Sequence, residues 1–284
     1  MSKLSARLKA LINLPAAQPG TTPAPRQIST VYEKIESEAT SNKVGRPPWL
    51  ALSTAATMTM NSPESLTALY KVATNGQELA QSIATAELMR EVGVKCISFN
   101  GIPRTINCLG AFRTALPPTV VSSLSKTPCR IPTPENITSI RDRGRALWNS
   151  IYRPYEDKLF DKLSESHPDL PVHILNSHYG ALLADPENRP GGAKVGRVLA
   201  SVVAVSCLRA QTGVGPQVTS HVFGLRKAVE DGTWVEDDAV SEEGAKWLAS
   251  DEGSVWLLES VDRIVEAISY GKGSSFAPGL KSKL

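Results

Sequence analysis

The first 32 positions hold no Asp or Glu, the four cysteines are scattered and aromatic residues make up only 6% of the chain. No uninterrupted apolar run approaches the ~18 residues that crossing a bilayer requires, so no membrane span is expected. Cys96, Cys108, Cys129 and Cys207 form no Cys-x-x-Cys and follow no secretory signal. That argues against a disulfide framework or a zinc site, and the four read as reduced, partly buried thiols. The formal net charge is only +3, and no basic stripe is interleaved with aromatics, so no nucleic-acid partner is expected. The basic cluster Arg141 to Arg145 contains Asp142 and reads as a solvated helix face. No Gly-rich dinucleotide loop follows a strand, and "GKGSS" lacks the spacing of a phosphate loop, so no cofactor is implied. His173 and His178 stand five apart and share no helix face as metal ligands at i, i+4 would, so no metal site is expected.

What is present is ordinary globular composition, 41% hydrophobic and 21% charged over 284 residues, enough to bury a real core. At the start, Leu4, Leu8, Leu11 and Ile12 give one apolar helical face beside Lys3, Arg7 and Lys9, and Pro15 ends that helix. Such a basic amphipathic start reads either as a mitochondrial presequence or as a short helix that packs on the body or lies free. The other end, "SYGKGSSFAPGLKSKL", should be an exposed tail. Its last residues, Ser282, Lys283 and Leu284, match the peroxisomal import tripeptide that a soluble receptor reads. The expected compartment is the peroxisome, with the mitochondrion as the alternative.

Between the ends the pattern is helical throughout. Ser62 stands as N-cap before Pro63, and Thr133 as N-cap before Pro134 with a helix running to about Tyr152. A helix is expected around 171–184, a nearly all-apolar central helix from Ala193 to Gln211, the next from Gln217 to Glu230, and a helical pair over 241–269. Two segments echo each other: "SFNGIPRTINCLGAFRTAL" and "AQTGVGPQVTSHVFGLRKAV" each follow an apolar helix and pass a Gly-containing turn. Asn107 stands three residues before Gly110, as His221 does before Gly224.

These residues resemble the AhpD-like and carboxymuconolactone decarboxylase superfamily. "NGIPRTINCLGAFRTAL" is similar to its turn and helix, and "RDRGRALWNSIY", "HYGALL" and "GVGPQVTSHVFGLRKA" follow the order of its longer domain, over about residues 64–232. The resemblance implies an all-α, AhpD-like bundle of two related helical hairpins that assembles as a homo-oligomer. The expected layout is a basic N-terminal segment and linker at 1–60, a first repeat at 61–116 and a Pro/Ser-rich linker at 117–134. A second helical region covers 135–270, and a tail 271–284. The family's thiol relay needs a Cys-x-x-Cys pair, a Glu on the preceding helix and a nearby His. Here the turn before His221 has no cysteine, the helix before it no acid, and Asn107 replaces His in the copy that has Glu87 and Glu91. Thiol peroxidase chemistry is therefore not expected. Decarboxylase-type members need no thiol pair, which leaves His221 as acid–base candidate with Arg104, Asn107, Arg113 and Arg226 as substrate-binding candidates. His178 is a weaker one. The expectation is an enzyme acting on a small carboxylated or lactone metabolite, or a non-catalytic oligomeric binding protein on the same fold.

Overall fold

The computed structural model describes residues 4–14, 20–236 and 239–274. The described residues are all-α, with no strand among them. The chain begins α1 (Ala6–Ile12), α2 (Ile28–Ser41), α3 (Arg46–Thr59), α4 (Pro63–Thr74) and α5 (Leu79–Lys95). It continues α6 (Ile97–Asn100), α7 (Ile102–Ala115), α8 (Pro118–Ser123), α9 (Ile137–Tyr152), α10 (Glu156–Ser166) and α11 (Asp169–His173). A π-helix (Ile174–Leu183) runs on from α11. Then come α12 (Gly196–Gln211), α13 (Gly215–Glu230), a 3₁₀ turn (Thr233–Glu236), α14 (Glu242–Ala249) and α15 (Asp251–Ser269).

Two helices form the centre. In α3 every residue from Pro48 to Thr59 is buried, and its Ala, Ser and Thr side chains are small enough for α2, α5, α12 and α15 to approach closely. Two of its hydroxyls are bonded: Tyr32 and Thr57 share a 2.7 Å hydrogen bond, and Thr59 Oγ1 donates to the Ala55 carbonyl at 2.8 Å, whereas the buried Ser53 and Thr54 hydroxyls have no partner among the described residues. Against α3 lies α12, buried almost throughout, with Val198, Leu199, Val202, Val203 and Val205 in the core and its buried Arg197 hydrogen-bonded to Ser201 one turn on. A satellite cluster of Trp148, Ile151, Tyr179 and Leu183 joins α9 to the π-helix.

Several expectations need correction. The segment 1–60, expected as a basic N-terminal stretch and linker, contains α2 and α3, and α3 lies in the core. Ser62 holds the N-cap position of α4 but makes no cap bond, because its hydroxyl donates to the Thr22 carbonyl at 2.7 Å instead. The helix expected from Thr133 starts at Ile137, after a turn in which the Thr133 amide donates to Asn136 Oδ1 at 2.8 Å. The 117–134 linker contains α8, and the helix around 171–184 is a short α-helix continued as a π-helix. Helix α1 buries no residue, so its apolar face does not pack on the body. Helices α5 and α7 contact each other, as do α12 and α13, and only the first pair interposes a short extra helix, α6. Ser282, Lys283 and Leu284 lie outside the described residues. No helix of the described residues is long and apolar enough to cross a membrane.

Candidate functional site

Pro216 in the first turn of α13 starts a helix that carries His221 inward, leaving it 6% exposed. Tyr152, the last residue of α9, and Tyr179, from the π-helix, meet it there. The two hydroxyls are 2.9 Å apart, and Tyr152 Oη is 3.4 Å from His221 Nε2. Phe99 of α6 closes the cluster edge-on to the imidazole, with ring centres 6.3 Å apart. Burial, aided by the positive charge of Arg197, pushes His221 down to about 4, and burial pushes both tyrosines up. At neutral pH the three groups are therefore uncharged. Tyr179 can donate to Tyr152, and Tyr152 to Nε2, which leaves Nδ1 of His221 without a hydrogen-bond partner among the described residues.

Arg197 connects this cluster to a cleft. It sits in the first turn of α12, 7% exposed, and its guanidinium donates to Ser201 Oγ at 2.7 Å and to the carbonyls of Ser150 and Gly224 at 3.0 and 2.5 Å. Arg197 is also among the residues lining a cleft of about 680 Å³, together with residues of α9 and of the 183–187 segment. Arg143, Leu147 and Ser150 of α9 line it, as do Leu183, Lys194 and Val195. Two carboxylates also border the cleft, and both are engaged. Asp185 Oδ2 accepts from the amides of Val195 and Gly196 at 3.0 and 2.7 Å, and Oδ1 meets Lys95 Nζ at 2.8 Å. Burial opposes its ionisation, yet the Lys95 charge and these hydrogen bonds hold the carboxyl below its usual range. Glu187 accepts from Ser139 and pairs with Arg143 at 2.7 Å, which lowers it as well. A second hollow of about 170 Å³ lies across Ala184, Pro186 and Glu187 from the first.

Through Lys95, Asp185 is linked to a buried ionic clamp. Glu91, fully enclosed, pairs with Arg130 and Arg189, and Lys95 stands 3.7 Å from it. Lys95 also donates to the Leu183 carbonyl. The clamp fixes the 183–189 segment against α5. Glu87 takes a comparable structural part, accepting from the Ser125 amide at 2.6 Å and pairing with Arg90 at 2.8 Å.

The residues singled out in the sequence are distributed differently. No described contact of His221 involves Arg104, Asn107, Arg113 or Arg226. Arg104, its charged form disfavoured by burial, donates to the Thr59 carbonyl at 2.5 Å. Asn107 is half-buried on α7, and Arg113 on the same helix is exposed. Arg226 pairs with Asp251. His178 Nδ1 lies 3.0 Å from Ser98 Oγ. The partners that sequence reading missed are Tyr152, Tyr179, Arg143, Lys194 and Arg197. One signal was available: Arg197 is the cation that interrupts the apolar run "VGRVLASVVAV". Among the described residues, no group of three or more His, Cys, Asp or Glu is placed to hold a metal ion.

The buried imidazole makes stability pH-dependent. Its folded pKa of about 4 lies below the usual 6.5, so the unfolded chain binds the extra proton between those values. The contribution is complete above pH 6.5 and falls away as pH drops to 4, by on the order of 3 kcal/mol. Urea unfolding across that window should show the loss in the wild type and a flatter profile in His221→Gln. Parallel profiles would assign the pH dependence to other groups.

No family model matches the chain, and neither a curated protein nor a solved structure matches it.

Proposed function

We propose that this protein binds a small carboxylated metabolite in the cleft between α9 and the start of α12. One observation supports the reading above the rest. Three cationic side chains, Arg143, Lys194 and Arg197, line the cleft with two carboxylates; Arg143 is paired with Glu187, and Asp185 is engaged by Lys95 and backbone amides, so Lys194 and Arg197 supply the charge in excess of these pairs. The remaining positive potential, set against the apolar Leu147, Leu183 and Val195, suits a short carbon skeleton ending in carboxylates. The resemblance to the AhpD-like and carboxymuconolactone decarboxylase superfamily points to the same ligand class, and with it to a homo-oligomeric bundle. Binding without turnover is the favoured form, because His221 is packed among Tyr152, Tyr179 and Phe99 and does not line this cleft. A second reading, lactone turnover with His221 as acid–base, is supported by the unpartnered Nδ1 alone.

Thermal unfolding of the full chain separates ligand from bystander. Adipate at millimolar concentration should raise Tm by a few degrees, and uncharged adipamide should not. An equal response to both would remove the electrostatic basis of the proposal. The compartment is a separate proposal, resting on Ser282, Lys283 and Leu284. Adding one residue after Leu284 should abolish peroxisomal import in cells, and unchanged localisation would end it.

A further inference from the structure

The thiol relay expected of the resembled family is absent, yet the fold brings two distant cysteines together. Cys96, at the end of α5, and Cys207, on α12, lie 111 positions apart in sequence with their Sγ atoms 3.5 Å apart. Both are fully buried and both are free thiols. The sequence offered no reason to pair them. We propose that Cys96 and Cys207 are an oxidation site at which a hydroperoxide closes a disulfide between α5 and α12.

The geometry is close to what the bond needs. A disulfide has sulfurs about 2.05 Å apart, so the pair must close by roughly 1.5 Å, within reach of a side-chain rotation and a small helix shift. The other thiols are engaged elsewhere: Cys108 Sγ lies 3.8 Å from Asn61 Oδ1, and Cys129 lies beside Arg130 at 4.0 Å. Near Cys207 the Asn100 side-chain amide stands 3.9 Å from Sγ, and the Ala55 carbonyl lies at the same distance.

The chemistry balances with the hydroperoxide as the only oxidant. One thiol, as thiolate, attacks the terminal peroxide oxygen; an S–O bond forms, the O–O bond breaks, and the departing alkoxide takes up the thiol proton. The second sulfur then attacks the sulfenic sulfur; the S–S bond forms, the S–O bond breaks, and hydroxide leaves with the second thiol proton as water. Two electrons pass from the two thiols to the peroxide, giving one alcohol (water, for hydrogen peroxide) and one water. Burial pushes the Cys96 thiol well up, so thiolate is scarce and closure is slow. The site is therefore a stoichiometric latch, not a peroxidase. It does not depend on the metabolite cleft.

Full-length protein is treated with excess hydrogen peroxide until well past complete oxidation of Cys129, which is half-buried and serves as internal clock. Remaining thiols are then alkylated in denaturant and the digest is read by mass spectrometry. The expected product is a Cys96–Cys207 cross-linked peptide, reversed by dithiothreitol, with Tm raised by roughly 5–10 °C. Cys129→Ser should keep the cross-link, and both Cys96→Ser and Cys207→Ala should abolish it. Cys207→Ala preserves a small apolar group in case serine prevents folding. Full alkylation of Cys96 and Cys207 after the treatment, or a Cys96–Cys108 link in the wild type, overturns the proposal.

Discussion

Replacing Gly144 with alanine costs about 3 kcal/mol of stability and detaches the π-helix from α9. A Cβ at Gly144 would lie 2.5 Å from both Cα and N of Gly180 and 3.1 Å from the Tyr179 carbonyl carbon. All of these are backbone atoms, so no side chain can rotate away. The opposite face is equally tight, since a Cβ on Gly180 would stand 3.0 Å from the Ile140 carbonyl oxygen. The two glycines let α9 and the π-helix cross almost backbone to backbone, and the crossing sets Tyr179 on Tyr152 and Leu183 on the cleft wall. Gly110→Ala is the matched control, because nothing lies within 4 Å of its Cβ position on α7. There alanine should be neutral or gain up to about 1 kcal/mol from helix propensity. Urea midpoints decide the matter. Similar midpoints for the two variants would show that the helices do not cross this closely.

Removing the buried carboxylate of Glu91 costs still more, about 3–5 kcal/mol for Glu91→Ala. The side chain is fully enclosed, and Arg130, Arg189 and Lys95 converge on it. Its loss leaves Arg130 and Arg189 with no other described ion pair, and Lys95 with Asp185 alone, which already accepts from two backbone amides. An uncompensated buried charge is far costlier than the net worth of the pair it came from. The 183–189 segment should loosen from α5, so amides around Asp185 and Glu187 should exchange faster with deuterium even at temperatures where the variant stays folded. A loss below about 1 kcal/mol with unchanged exchange would make Glu91 an ordinary surface acid.

The same residues explain what the sequence could and could not reveal. Helix α15 was legible because its apolar spacing is long, as in Trp256, Leu257, Val261, Ile264 and Ile268. The core helix α3 was not. Its "RPPWLALSTAATMTM" opens on two prolines and is full of Ser, Thr and Ala, a linker-like composition that close helix packing requires for a different reason. The π-helix escaped because a one-residue widening of the turn leaves no distinct periodicity. His221 was found from its place in the echo of two hairpins, and the tyrosines that hold it were missed because they come from 42 and 69 residues away in chain order. The cleft was least visible of all. Arg143 was read as part of a solvated face, whereas it lines both hollows and pairs with Glu187.

The claim that matters most is that carboxylates are held in the cleft by Arg143, Lys194 and Arg197. Lys194 tests it cleanly, since it is exposed on the rim and takes no described part in packing. Adipate should be titrated calorimetrically into the wild type, Lys194→Glu and His221→Gln. Saturable binding to the wild type is expected, with at least about 10-fold weaker binding to Lys194→Glu, where attraction becomes repulsion, and near-wild-type affinity in His221→Gln. Equal affinity in wild type and Lys194→Glu, with loss confined to His221→Gln, would contradict it and place the ligand at the imidazole.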